Sequence, residues 1–487
     1  MCSLNLQDIG MFGLCSLVMA GAVETSNLHQ RIALKSLLVV GTSNVRLLLG
    51  FMLVTAFLSM WIPNTAATSI MAPIAMAIVD QMYSPDSQSK SHFLSTQRCA
   101  LPILTAVPTK PRLGSRRRVL RTTTLLSVAY AANIGGTGSL TGTAPNLVLK
   151  GLMDDEFPGS TELTFATWML YNVPTMVLLV LFAWLYLVLT RKRALSSDKA
   201  LQEKNREEIL KRYEDLGPMS FAEMCVTLLM TSMILLWFTM KPRIFRGWAE
   251  LLPHQNYIRP PTPAMAVMFL LFIIPKNPRQ PWGRPLMTWK EASDKAQWGV
   301  LILVGGGICL AEACKQSGFS VLLVGHLKSL AALPSELIVF LLCLAASMFT
   351  EVTSNVAVSS ILLPVVVDMA GAIGAHPLYL AMPVAIGCSF SFMLPAAGPP
   401  NAIVYELGKM SILEMAKPGI AMNIVCVLVE VAMIHALGFP IFGLGTTPSW
   451  IRATDSAPAY GMANDTALSM INATISPTMN HTSPLLT

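Results

Sequence analysis

Two asparagines and the hydroxyls around them could do chemistry here. IPNTAATSIMAPI (62–74) and TSNVAVSSILLPV (353–365) align without a gap, so that Asn64 falls on Asn355, Ala66 on Ala357, Ser69 on Ser360 and Pro73 on Pro364. A hydroxyl lies five positions before each asparagine: Ser59 in one case, Thr350 in the other. Thr65 follows the first asparagine, and Ser354 and Val356 flank the second. Asn offers a carbonyl oxygen to a cation and an amide NH₂ to an anion, and Ser or Thr hydroxyls serve either. Two such segments brought together would hold a carboxylate or sulfate oxygen beside a hard cation such as sodium, with no buried Arg or Lys. A second pairing lies downstream. NIGGTGSLTGTAPNLV (133–148) and FMLPAAGPPNAIV (392–404) each carry Pro-Asn, and Gly142 and Ala397 lie four residues before that asparagine. One Ser-Asn-Thr phrase is an ordinary helix cap; its duplication favours a paired ligand site.

The elements that position these residues read as membrane spans. Of 487 residues, 53% are apolar and 13% charged, against roughly 25% charged in soluble domains. Mean hydropathy is +0.56. Nine Cys without CxxC and seven His without HExxH argue against a metal or redox centre. GTGSLTG lacks both the G-x-G-x-x-G spacing and a Walker Lys-Ser/Thr, so no nucleotide loop is read. No nucleophile–base set appears in the apolar stretches, so no enzyme or organic cofactor is expected. The net charge of +7 sits in segments between apolar runs. That is how orientation is encoded in membranes, and it implies no nucleic-acid partner.

Apolar stretches recur near 9–26, 124–150, 165–190, 219–240, 297–314, 378–408 and 418–445, with a shorter one at 264–275. Two longer ones, 47–82 and 336–373, are each interrupted by the repeated phrase. A straight helix of that length would be about 54 Å long, too long for one crossing. Each therefore reads as two half-length helices meeting at a tip, a re-entrant hairpin. The basic or mixed segments 110–121, 191–212 and 276–295 read as cytoplasmic, with a solvated helix at 199–213. The tail carries glycosylation sequons at Asn464, Asn472 and Asn480, which places the C-terminus outside and the protein at the plasma membrane. Crossings counted between these markers make the two hairpins enter from opposite faces. The expected fold is an all-α polytopic membrane protein, an inverted-repeat secondary transporter with ligands near the midplane. Isolated charges in spans are functional candidates, Glu351 first among them; Glu24, Asp80, Glu312 and Glu406 read as helix-end residues.

Together, the paired tips, GTAPN in one half and PPNAIV in the other, resemble the divalent anion–sodium symporter family, over about residues 9–446. ETSNLHQRIAL (24–34) and FTEVTSNVA (349–357) are similar to family phrases as well. The resemblance implies sodium-coupled symport of di- or tricarboxylates such as succinate and citrate. A sulfate symporter, a sodium-independent anion exchanger and an inactive truncated subunit stand as alternatives. It implies an elevator-type transport domain on a dimerising scaffold. It implies one sodium site near Ser59, Asn64 and Gly142 and another near Thr350, Asn355 and Ala397. The anion would lie between Asn64-Thr65 and Ser354-Asn355-Val356, with Gly398 close by. The chain departs from the family pattern at two places: Pro63 stands where Ser is usual, and Gly398 where carboxylate carriers often have Thr. The expected organisation is a first span and interfacial helix (1–46), first-repeat transport elements (47–190), a cytoplasmic linker (191–218), second-repeat scaffold spans (219–334), second-repeat transport elements (335–446) and an extracellular tail (447–487). The family pattern implies about three further N-terminal spans. A shortened isoform or an incomplete sequence would account for that, and a homodimer is expected only where the scaffold helices are complete.

Overall fold

The computed structural model describes residues 2–41, 43–82, 111–157, 160–195, 199–240, 246–253, 258–280, 282–296 and 333–445, with scattered positions between 298 and 317. Among these residues there is no strand, only an isolated bridge between Pro275 and Pro285. The expected span at 297–314 and Glu312 fall largely outside the described residues, and the three sequons wholly so.

The helices are α1 (Cys2–Thr25), α2 (Leu28–Val40), α3 (Asn44–Ser59), α4 (Asn64–Met82), α5 (Pro111–Gly136), α6 (Ala144–Glu156), α7 (Phe165–Leu195) and α8 (Lys199–Asp215). They continue with α9 (Phe221–Met240), α10 (Pro261–Ile273), α11 (Trp289–Lys295), α12 (Ser335–Thr350), α13 (Asn355–Ala372), α14 (Pro377–Gly387), α15 (Pro399–Gly408) and α16 (Ile412–Met433). A π-turn at Ile434–Gly438 carries α16 into α17 (Phe439–Phe442). Four described helices are long and apolar enough to cross a membrane: Phe165–Lys192, Phe221–Met240, Asn355–Ala372 and Ile412–Phe442. The pair Gly10–Thr25 and Leu28–Val40, bent by 67°, makes a fifth if counted as one span.

Both interrupted stretches break where the repeated phrase sits. α3 ends at Ser59 and α4 begins at Asn64; α12 ends at Thr350 and α13 begins at Asn355. The arms exceed the expected half-length. α3 and α12 have 16 residues each, α4 has 19 and α13 has 18, or about 24–28 Å at 1.5 Å per residue. Each second arm carries a proline nine residues after its asparagine, Pro73 and Pro364. The two later breaks also appear as expected: residues 137–143 separate α5 from α6, and residues 388–398 separate α14 from α15, with a 3₁₀ turn at Pro395–Ala397.

Packing repeats between the halves. α3 and α4 lie on α5, and α12 and α13 lie on α14. The second arms then cross over, α4 packing on α15 and α13 on α6. Small residues permit these approaches, because without a hydrophobic drive between helices in lipid, close backbone packing does the work. A Cβ on Gly135 of α5 would stand 2.5 Å from the Ala56 Cα of α3. A Cβ on Gly387 of α14 would stand 2.8 Å from the Cys343 Sγ of α12.

Two expectations about the polar segments change. The stretch 111–121, read as a basic segment between apolar runs, is the first turns of α5, and Arg117, Arg118 and Arg121 tie neighbouring elements together. Arg117 pairs with Asp80 of α4 at 3.0 Å, Arg118 with Glu414 of α16 at 3.1 Å, and Arg121 donates to the Leu407 carbonyl of α15 at 2.5 Å. α8 is not wholly solvated, because it packs on α2 and α4 and buries Ile209. From α2, Arg31 pairs with Glu223 of α9 at 3.2 Å, donates to the Gly217 carbonyl at 2.9 Å and lies over the Tyr213 ring at 5.9 Å. Glu24 pairs with Lys295 at 2.8 Å, and Glu406 is exposed near the end of α15, both as expected for helix-end charges.

Candidate functional site

The two tips meet. They open onto one cavity of about 610 Å³, lined on one side by Pro63, Asn64 and Thr65 and on the other by Ser354, Asn355 and Val356. The two broken helices complete it with Gly142, Thr143 and Ala144 and with Ala397, Gly398 and Pro399. α1 supplies a further wall of small residues, Gly10, Gly13, Ser16 and Ala20. All six residues assigned by sequence to the anion lie on the cavity wall.

Three features decide what this cavity can hold. No charged side chain is among the described lining residues. The first residues of four helices, Asn64, Ala144, Asn355 and Pro399, all line it. First-turn N–H groups have no intrahelical acceptor, although Pro145, Pro399 and Pro400 offer none and the Val356 N–H goes to Asn355 Oδ1. So α6 and α15 act mainly through the positive end of the helix dipole, which favours an anion. Oxygens cluster behind the first tip. The Ser59 hydroxyl sits 2.5 Å from Asn64 Oδ1 and 2.8 Å from the Ala132 carbonyl. Such a set of uncharged oxygens suits a hard monovalent cation.

The first tip is held tightly. Gly136 backs onto Asn64, where a Cβ would stand 2.6 Å from Oδ1 and 3.0 Å from Nδ2. Gly142 backs onto Gly136, where a Cβ would run into the carbonyl oxygen and stand 3.1 Å from the carbonyl carbon. Ser139 donates to the Met60 carbonyl at the tip. Asn146 closes the break by donating to Gly136 and Ser139 carbonyls at 3.2 and 2.8 Å.

The second tip is built differently. Thr350 donates to Ala346 within its own helix at 2.9 Å, and no hydrogen bond joins it to Asn355. Asn355 Oδ1 accepts from the Val356 N–H at 2.8 Å, while its Nδ2 lies 3.5 Å from Thr143 Oγ1 of the other half. Ser354 is the N-cap of α13 yet makes no side-chain cap bond, and it lines the cavity. Thus Ser59, Asn64 and Gly142 are brought together, whereas Asn355 and Ala397 share the cavity wall and Thr350, at the end of α12, is not hydrogen-bonded to Asn355.

Glu351, the leading charged candidate, is buried and lies outside the cavity wall. Its carboxylate accepts the N–H groups of Phe392, Met393 and Leu394 at 2.6–3.0 Å and the Asn423 amide at 2.7 Å. It therefore clamps the second break to the second tip. Asn401 works as Asn146 does, donating to Ser391 and Leu394 carbonyls at 3.0 Å each.

Sequence reasoning missed Asn133. From α5 it donates across the halves to the Ser391 carbonyl at 2.8 Å and lies on the cavity wall. It also missed Thr143, Ser389 and Ser391 in the lining, and the buried contact in which Tyr171 of α7 donates to Glu430 of α16 at 2.6 Å. The alternation in CSFSF (388–392) was the available signal for the two serines.

Residues 8–444 match the family model of the sodium:sulfate symporter transmembrane region. The human Na(+)/dicarboxylate cotransporter 3 is 35% identical over 520 residues, covering 96% of this chain and 86% of the relative. Human solute carrier family 13 member 2 is 38% identical, covering 95% and 86%. The rat Na(+)/citrate cotransporter is 36% identical, covering 93% and 86%.

Proposed function

Because this chain belongs to the sodium:sulfate symporter family, we propose that it performs sodium-coupled symport of di- or tricarboxylates such as succinate and citrate, by alternating access. One observation carries the proposal: two asparagine tips and four helix starts converge on a single cavity whose described walls hold no charge. Helix dipoles favour an anion but carry no net charge. A divalent anion buried there needs accompanying cations, and the oxygens behind the first tip are where sodium would supply one. The relatives named for dicarboxylate and citrate favour a carboxylate over sulfate.

In this reading Asn64, Thr65, Ser354, Asn355, Val356 and Gly398 contact the anion. Ser59, Asn64 and Gly142 hold one sodium; Thr350, Asn355 and Ala397 surround the other. The repeated packing supports an inverted repeat whose tips are re-entrant. α3–α7 and α12–α16 would then move together as an elevator against the remaining helices, in a homodimer at the plasma membrane. The tail with its three sequons would face outside.

Uptake of labelled succinate, citrate and sulfate by cells expressing this chain, in sodium and with choline in its place, tests the proposal. Sodium-dependent uptake of a carboxylate is expected. Equal carboxylate uptake in choline, or uptake of sulfate alone, would overturn it.

A further inference from the structure

We propose that the segment from Lys276 to Trp298, beside the end of α10, is a binding surface for anionic phospholipid headgroups. The inference is independent of what the cavity carries.

The segment is ordered by its own backbone. Lys276 N–H donates to the Arg284 carbonyl at 2.8 Å, and Leu286 N–H to the Ile274 carbonyl at 2.8 Å. Turns from Asn277 to Gln280 and from Gln280 to Gly283 close at 3.0 and 2.9 Å. α11 then starts with a capping box, in which Thr288 accepts from the Glu291 N–H while Glu291 accepts from the Thr288 N–H. This ribbon holds Trp282 at its turn with 99% of its surface exposed. Trp289 follows at 59% exposed, with its ring 6.5 Å from Trp298 and 6.3 Å from Phe272 of α10.

Three indoles displayed in this way are costly in water and favourable at a bilayer surface, where an amphipathic ring sits at headgroup level. α10 continues the surface into the apolar layer through exposed Phe269, Leu270 and Ile273. The cations around the indoles select the headgroup. Arg284 is neutralised by Glu291 at 2.6 Å and Lys295 by Glu24 at 2.8 Å. Lys276, Arg279 and Lys290 are exposed and form no ion pair among the described residues. These three cations, beside the exposed Trp282 and Trp289 rings, complement a phosphodiester and carboxylate headgroup rather than a zwitterionic one, while the Trp298 indole N–H is already given to the Ser293 carbonyl at 2.9 Å. Each Lys or Arg near an anionic membrane surface contributes about fivefold in affinity, so the three together are worth about a hundredfold.

Native mass spectrometry of the full chain in detergent tests this, with dioleoylphosphatidylserine, dioleoylphosphatidylcholine or inorganic phosphate titrated in. Relative to wild type, the triple variant Lys276→Gln, Arg279→Gln, Lys290→Gln should lose at least about tenfold in phosphatidylserine affinity and leave phosphatidylcholine binding unchanged. Trp282→Ala should weaken both lipids by less than that. Retained phosphatidylserine binding in the triple variant would overturn the proposal. So would competition by inorganic phosphate at equal concentration, which would indicate a soluble-anion site. A changed monomer–dimer distribution with unchanged lipid binding would also overturn it, since the surface would then be an interface between copies.

Discussion

Gly136→Ala offers a sharp test of the proposed first cation site, because the added atom reaches Asn64. The new Cβ would stand 2.6 Å from Asn64 Oδ1, 3.0 Å from Nδ2 and 3.2 Å from Cγ. Ordinary contact begins near 3.4 Å, so Asn64 Oδ1 must retreat by about 0.8 Å. That displacement pulls it off the Ser59 hydroxyl, now 2.5 Å away, and out of the oxygen cluster. Losing one hydrogen bond of this kind costs about 1 kcal/mol, which is about fivefold in an equilibrium constant. The half-saturating sodium concentration for carboxylate uptake should therefore rise about fivefold or more, with surface abundance unchanged. Gly371→Ala in α13 is the matched control. It lies off the cavity wall and an added Cβ meets nothing within 4 Å, so its sodium response should stay within about twofold of wild type on the same scale. A Gly136→Ala variant at the surface with an unchanged sodium response would refute the reasoning, since Asn64 would then not be a ligand.

Three further outcomes follow from the same geometry. Asn355→Ala removes the group at the second tip that faces Thr143, and should abolish uptake while biotinylation still finds the protein at the surface. Pro63→Ser restores a hydroxyl and an N–H on the cavity wall and should lower the half-saturating sodium concentration; an unmoved value would show that neither group serves as a ligand. Glu351→Gln turns an amide NH₂ toward backbone N–H donors that now meet a carboxylate. Each unsatisfied donor costs about 1–3 kcal/mol, so thermal unfolding in detergent should begin several degrees lower.

Much of the site was legible because it is punctuated locally. Pro63-Asn64 and Ser354-Asn355 stop one helix and start another, and Gly142 and the Pro-Asn pairs mark the later breaks. The duplicated phrase then says that the two tips serve one task, and both line one cavity. What depended on distant partners was not legible. Glu351 reads as a functional charge until residues 392–394, 41–43 positions later, present three N–H groups to it. Arg117, Arg118 and Arg121 read only as charge between apolar runs, because their acceptors lie on α4, α16 and α15. The matching hydroxyls Ser59 and Thr350 suggest equal tips, yet only Ser59 reaches its asparagine, while Thr350 bonds within its own helix. Tyr171 and Glu430 meet across 259 residues of sequence with no local signal.

The most direct test of sodium-coupled carboxylate symport is purified chain in liposomes with an inward sodium gradient as the only driving force. The account predicts that labelled succinate or citrate accumulates above its outside concentration, and that a sodium ionophore releases the excess. Equilibration without accumulation, unaffected by the ionophore, would contradict coupling and leave a passive or exchanging carrier.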